Sequence, residues 1–103
     1  MAFLRTARKD EIPVGAIREF SVEGQAIALA NVGGQFYAID NTCLHRGGPL
    51  GEGELDGKAV TCPWHGWQYD VTTGKLNMNP AAAVRCHAVE VRGEDIFVDI
   101  ILP

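Results

Sequence analysis

Basic residues are scarce in this chain of 103 residues: nine Lys and Arg stand against thirteen Asp and Glu, leaving a net charge of −4. Phosphate binding needs clustered basic side chains, which argues against a nucleic-acid partner. A protein partner with a basic face fits better, because opposite charges speed encounter. Cysteine is also scarce, with three residues. An odd and small number makes no disulfide framework and suits a reducing compartment in which thiolates bind metals. No stretch approaches the roughly eighteen apolar residues of a membrane span. The segment Met-Ala-Phe-Leu-Arg-Thr-Ala-Arg-Lys-Asp lacks the apolar core of a secretory signal. The expectation is a cytoplasmic protein without a membrane anchor. Internal repeats, linkers and low-complexity runs are missing. So is any Ser-His-Asp arrangement, and no residue reads as catalytic.

What the chain does have is glycine, twelve residues of it, and short alternating or β-branched segments between glycine turns. The pattern predicts strands over Phe3-Ala7, Ala16-Val22, Gln25-Asn31, Gln35-Asp40, Ala59-Cys62, Gln68-Val71, Ala83-Val91 and Asp95-Ile101. Turns are expected at Glu23-Gly24, Gly33-Gly34, Asp56-Gly57, Thr73-Gly74 and Gly93-Glu94, where tight hairpins need residues tolerant of positive φ. Asp10-Glu11-Ile12-Pro13 predicts a single helical turn. The expected fold class is all-β, a small antiparallel β-sandwich. Six glycines crowd between positions 47 and 66, so the middle of the chain is built differently from its ends. A single domain over 1-103 follows, with a β scaffold at about 1-40 and 74-103 and an inserted lobe at about 41-73.

The chemistry lies in that lobe. Cys43-Leu44-His45 is separated from Cys62-Pro63-Trp64-His65 by sixteen residues. Each motif offers one thiolate and one imidazole, the set that replaces two of the four cysteines of an ordinary 2Fe-2S cluster. Loops hung from a rigid sheet can face one another across such a cluster, with Cys43 and Cys62 on one iron and His45 and His65 on the other. Neutral imidazoles leave the oxidised cluster less negative and raise its potential. The rival chemistry is a structural zinc site, since two Cys and two His also make a tetrahedral centre. One intervening residue between Cys43 and His45 is tight for two ligands to one ion. Cys86 and His87 are adjacent, so on a strand they point to opposite faces. Cys86 reads as a small buried hydrophobe and His87 as a surface residue.

Cys43-Leu-His45-Arg-Gly-Gly followed by Cys62-Pro-Trp-His65-Gly-Trp-Gln-Tyr-Asp resembles the Rieske iron-sulfur family. The resemblance implies one 2Fe-2S cluster held by Cys43, His45, Cys62 and His65. It also implies a tyrosine hydroxyl, here that of Tyr69, on a ligand sulfur, and backbone N–H groups of Gly47, Gly48 and Gly66 offered to the sulfurs. A proline-containing loop covering the cluster is implied as well, at Pro80. Members of respiratory and photosynthetic complexes carry a disulfide between the two loops and a membrane anchor; this chain has Gly48 and Trp64 at the two disulfide positions. They also carry a serine after His-Gly, where this chain has Trp67. Fewer hydrogen bonds to sulfur place the expected potential toward the lower end of the roughly −150 to +300 mV range.

The resemblance thus implies a low-potential one-electron carrier, with a flavin-dependent reductase as donor and a terminal oxygenase as acceptor. Its alternative is the small Rieske subunit of an assimilatory nitrite reductase, bound to the large subunit. Docking is expected around the tip, at Leu44, Arg46, Pro49 and Trp64, because an exposed Trp beside an Arg is a common interface composition. Trp67 reads as local core under the loop. Glu52, Glu54 and Asp56 read as a solvated acidic run able to steer a basic partner.

Overall fold

The computed structural model describes residues 3–44, 47–64 and 66–100. Among them the chain forms eleven strands: β1 Leu4–Arg8, β2 Ile17–Val22, β3 Gln25–Val32, β4 Gln35–Asp40, β5 Glu54–Asp56, β6 Ala59–Thr61, β7 Gln68–Asp70, β8 Lys75–Leu76, β9 Asn79–Ala83, β10 Cys86–Arg92 and β11 Asp95–Asp99. Single 3-10 turns at Lys9–Glu11 and Leu50–Glu52 are the only helical pieces among the described residues. No helix is long and apolar enough to cross a membrane among these residues.

All strand pairings are antiparallel, and they build two sheets. The larger runs β1-β11-β10-β4-β3-β2 and nearly closes on itself, its edge strands β1 and β2 approaching each other. The smaller runs β5-β6-β7-β8-β9 in simple chain order. Strand β3 shows why they pack together. Its residues alternate between faces, as the pleat requires, so that Ile27 and Leu29 join one core while Ala28 and Ala30 join the other. The first core fills the near-barrel with Ala7, Ile12, Val22, Ala38, Ile96 and Val98. The second lies between the sheets and takes in Leu50, Val60, Tyr69, Val71, Leu76 and both Cys43 and Cys62. The thiols of the lobe are therefore part of a packed core.

The expected all-β architecture and its glycine turns are present, with Gly24, Gly33, Gly34, Gly57, Gly74 and Gly93 at positive φ. At Gly74 the demand is double: φ is +78°, and a Cβ there would stand 2.2 Å from the Val84 carbonyl oxygen. Three strands escape the sequence pattern. β5 and β8 are too short to show a period, and β9 contains Pro80, tolerated because β9 is an edge strand whose missing N–H costs no ladder bond. Pro80 thus lies exposed within a strand, not in a covering loop. The boundary expected near residue 73 falls inside the second sheet, between β7 and β8. The single strand expected over Ala83-Val91 is divided: Ala83 ends β9 in one sheet and Cys86 begins β10 in the other.

His87 corrects the surface reading. Its side chain is fully buried and meets the Asp40 carboxylate at 2.8 Å. An imidazole that finds a charged partner at the sheet junction is stable inside, which strand alternation alone cannot reveal. Cys86 is half-buried against the inter-sheet core, and burial, with Asp70 and Asp40 nearby, pushes its thiol up from the usual range.

Candidate metal centre

Two loops carry the motif residues, and matching backbone hydrogen bonds close them. In the first, the Cys43 N–H donates to the Gly48 carbonyl at 2.9 Å, and the Gly47 N–H donates to the Cys43 carbonyl at 3.0 Å. In the second, the Cys62 N–H donates to the Trp67 carbonyl at 2.7 Å, and the Gly66 N–H donates to the Cys62 carbonyl at 3.2 Å. Each cysteine is thus bonded to the residues four and five positions on. The fourth position is a glycine with φ of +71° or +76°, a left-handed conformation that closes the turn. The sequence signal for this duplication is Cys-x3-Gly in both motifs, too short to register as an internal repeat.

The first loop is anchored at both ends. Asn41 is buried; its carbonyl accepts the Leu50 N–H at 2.7 Å and its Oδ1 accepts the Gly51 N–H at 2.7 Å. Thr42 bridges Pro49. The second loop leaves β6 and re-enters β7, whose central residue Tyr69 is fully buried. Tyr69 Oη lies 3.2 Å from Cys43 Sγ and accepts the Leu44 N–H at 2.9 Å. The phenol therefore crosses from the second loop's strand to the first loop's cysteine. Between the Cys43 thiol and the phenol either group can donate, and a Cys43 thiolate accepts the hydroxyl proton.

Cys43 and Cys62 are 2% and 1% exposed, and neither forms a disulfide. Their side chains are hydrogen-bonding neighbours. Burial pushes the Cys62 thiol up; the backbone N–H of Trp64, aimed at the sulfur, works against that shift, and the neighbouring Cys43 adds to it. Burial and the Cys43 sulfur likewise push the Tyr69 phenol up. Paired buried thiols held by a phenol and a backbone N–H are costly as bare anions, and a cation at the pair removes that cost, since coordinated thiols deprotonate outright. Among the described residues no group of three or more His, Cys, Asp or Glu side chains is arranged to hold a metal ion.

The other residues singled out from sequence fall as follows. His45, Arg46 and His65 lie outside the described residues. Gly47 and Gly66 are exposed, and their N–H groups go to cysteine carbonyls, not to sulfur. Gly48 is buried for a steric reason: a Cβ there would lie 2.6 Å from Cys62 Sγ. Leu44 and Trp64 are exposed at 51% and 49%, and Pro49 is half-buried. Trp67 is half-buried and packed against the inter-sheet core. The N–H on sulfur that the sequence reading missed is that of Trp64.

A convergent thiol pair on duplicated loops of a two-sheet β fold is matched by the model of the Rieske [2Fe-2S] domain over residues 2–96. The chain belongs to the Rieske [2Fe-2S] domain family. Its cofactor is one 2Fe-2S cluster of the Rieske type, and two buried thiols at the loop bases fit half of that cluster's ligand set. A relative from Pseudomonas aeruginosa, the ferredoxin component of a naphthalene 1,2-dioxygenase system, is 34% identical over 91 residues, 87% of this chain and 88% of the relative. Among solved structures, the ferredoxin of carbazole 1,9a-dioxygenase from Nocardioides aromaticivorans IC177 superposes with a TM-score of 0.87 at 30% identity, covering 95% of this chain and 97% of that one. A chain from the complex of reduced oxygenase and oxidized ferredoxin in carbazole 1,9a-dioxygenase gives a TM-score of 0.84 at 34% identity, covering 93% and 91%. The Rieske domain accounts for nearly the whole of this chain.

Proposed function

We propose that this Rieske protein is a cytoplasmic ferredoxin that takes single electrons from a flavin-dependent reductase and delivers them to a terminal oxygenase. The observation that supports this most is coverage: the naphthalene and carbazole dioxygenase ferredoxins named above each align with this chain over more than 85% of both chains. On this reading the whole chain is one domain without a catalytic site of its own.

Cys43 and Cys62 are assigned to one iron, and His45 and His65 to the other. When bound, the cluster supplies a one-electron couple. The chain's part is to hold and tune it. Tyr69 donates its hydroxyl proton to Cys43 Sγ, and Trp64 donates its N–H to Cys62 Sγ; both stabilise added negative charge on sulfur. The two sheets keep water from the sulfurs by burying them in the inter-sheet core. The exposed side chains of Leu44 and Trp64 stand on the loops themselves, so a partner that seats on them comes close to the cluster. Arg46 and Pro49 complete the assigned docking face. Truncating exposed apolar residues at a docking centre costs about 1 kcal/mol or more in binding.

The test is electron delivery. Leu44→Asp should raise the ferredoxin concentration needed for half-maximal turnover of a reconstituted reductase and oxygenase pair about fivefold or more, with the midpoint potential unchanged. Unchanged concentration dependence would remove the loop tip as the docking face.

A further inference from the structure

Gly48 is buried on the first loop, and the second loop lies across it. A Cβ at Gly48 would stand 2.6 Å from Cys62 Sγ and 3.1 and 3.2 Å from Cγ and Cβ of Trp64. The base of the indole side chain therefore rests on the bare Cα of Gly48, while Trp64 as a whole remains 49% exposed. Its backbone N–H meanwhile points at Cys62 Sγ. One residue thus touches the opposite loop with its side chain, the sulfur of its own loop with its backbone, and solvent with its outer face.

We infer that Trp64 is a positioning residue that ties the two ligand loops together over Gly48 and shields the buried sulfurs from water. The inference rests on the cluster assignment but not on the identity of the redox partners. Gly47 and Gly66 are exposed turn residues with no side chains to cover this point, and Pro63 is exposed. Removing the indole opens the gap between the loops. Water reaching the sulfurs solvates the reduced cluster, which carries one more negative charge than the oxidised one, and so draws the potential upward.

The experiment compares wild-type holoprotein with Trp64→Ala and Trp64→Phe. Iron and acid-labile sulfide are measured first in the wild type; their absence there defeats the cluster assignment itself and is recognised before any variant is made. Given a loaded wild type, iron transfer to a ferrous chelator under reducing, denaturant-free conditions and the midpoint potential are followed. Trp64→Ala should release iron about tenfold faster and show a more positive potential, and Trp64→Phe should recover most of both. Equal release rates in wild type and Trp64→Ala, or coincident potentials, would overturn the inference.

Discussion

Asp40 and His87 meet at 2.8 Å across the junction where β4 ends and the first ligand loop begins. The same carboxylate accepts the Arg85 Nε–H at 3.0 Å and the Arg85 backbone N–H at 3.2 Å, while the Asp40 N–H donates to the Arg85 carbonyl at 3.0 Å. A single side chain at the sheet junction therefore fixes both β10 and the bend that joins the two sheets, three residues before Cys43.

This junction predicts an acid-sensitive contribution to stability. Burial favours the neutral acid, but hydrogen bonds from His87 and Arg85 outweigh it and hold the Asp40 carboxyl below its ordinary value of 3.8. A depressed folded-state pKa gives stability that is present above the unfolded value and is lost as pH falls through the folded one. Asp40→Asn should therefore cost about 2 kcal/mol near neutral pH, visible as a lower urea midpoint. Its deficit relative to wild type should shrink as pH falls below 3.8. A deficit that stays constant into acid would contradict the role given to the charge.

Histidine substitutions separate structure from cofactor. His87→Ala should lower thermal stability by several degrees, since about 1 kcal/mol shifts a domain this size by roughly 4–8 °C, yet leave the iron content intact. His65→Ala should abolish the normal cluster. Iron analysis with circular dichroism on both variants checks the contrast.

Tyr69→Phe removes the hydroxyl that bridges Cys43 Sγ and the Leu44 N–H. One hydrogen bond to sulfur is worth about 1 kcal/mol, or about 40 mV for one electron. The reduced cluster loses that stabilisation, so the potential should fall by about that amount in protein-film voltammetry, with iron content unchanged.

Gly48→Ala should damage cluster loading directly, because its Cβ would stand 2.6 Å from Cys62 Sγ. Overpacking of this kind costs about 1–3 kcal/mol and displaces a sulfur required for loading. Iron yield well below wild type is expected in purified protein, whereas Gly93→Ala, where a Cβ meets nothing within 4 Å, should load normally despite its strained φ.

Much of this arrangement was legible in the residues. Alternation marks the long strands β2, β3, β4 and β11, and paired Cys and His motifs mark the lobe, because periodicity and ligand type are local properties. What escaped depends on distance. The partnership of Asp40 with His87 spans forty-seven positions, so a buried histidine looks like any exposed one. β9 hides behind Pro80, which reads as a connector until the sheet shows which edge it occupies. The N–H groups of Gly47 and Gly66 go to carbonyls and that of Trp64 goes to sulfur, a choice set by how each turn closes.

The cluster is the claim on which the rest depends. Low-temperature EPR of dithionite-reduced protein prepared without oxygen, combined with metal analysis, tests it most directly. A Rieske-type signal with about two iron atoms and two acid-labile sulfides per chain is the predicted result. Stoichiometric zinc with no EPR-active cluster would contradict it.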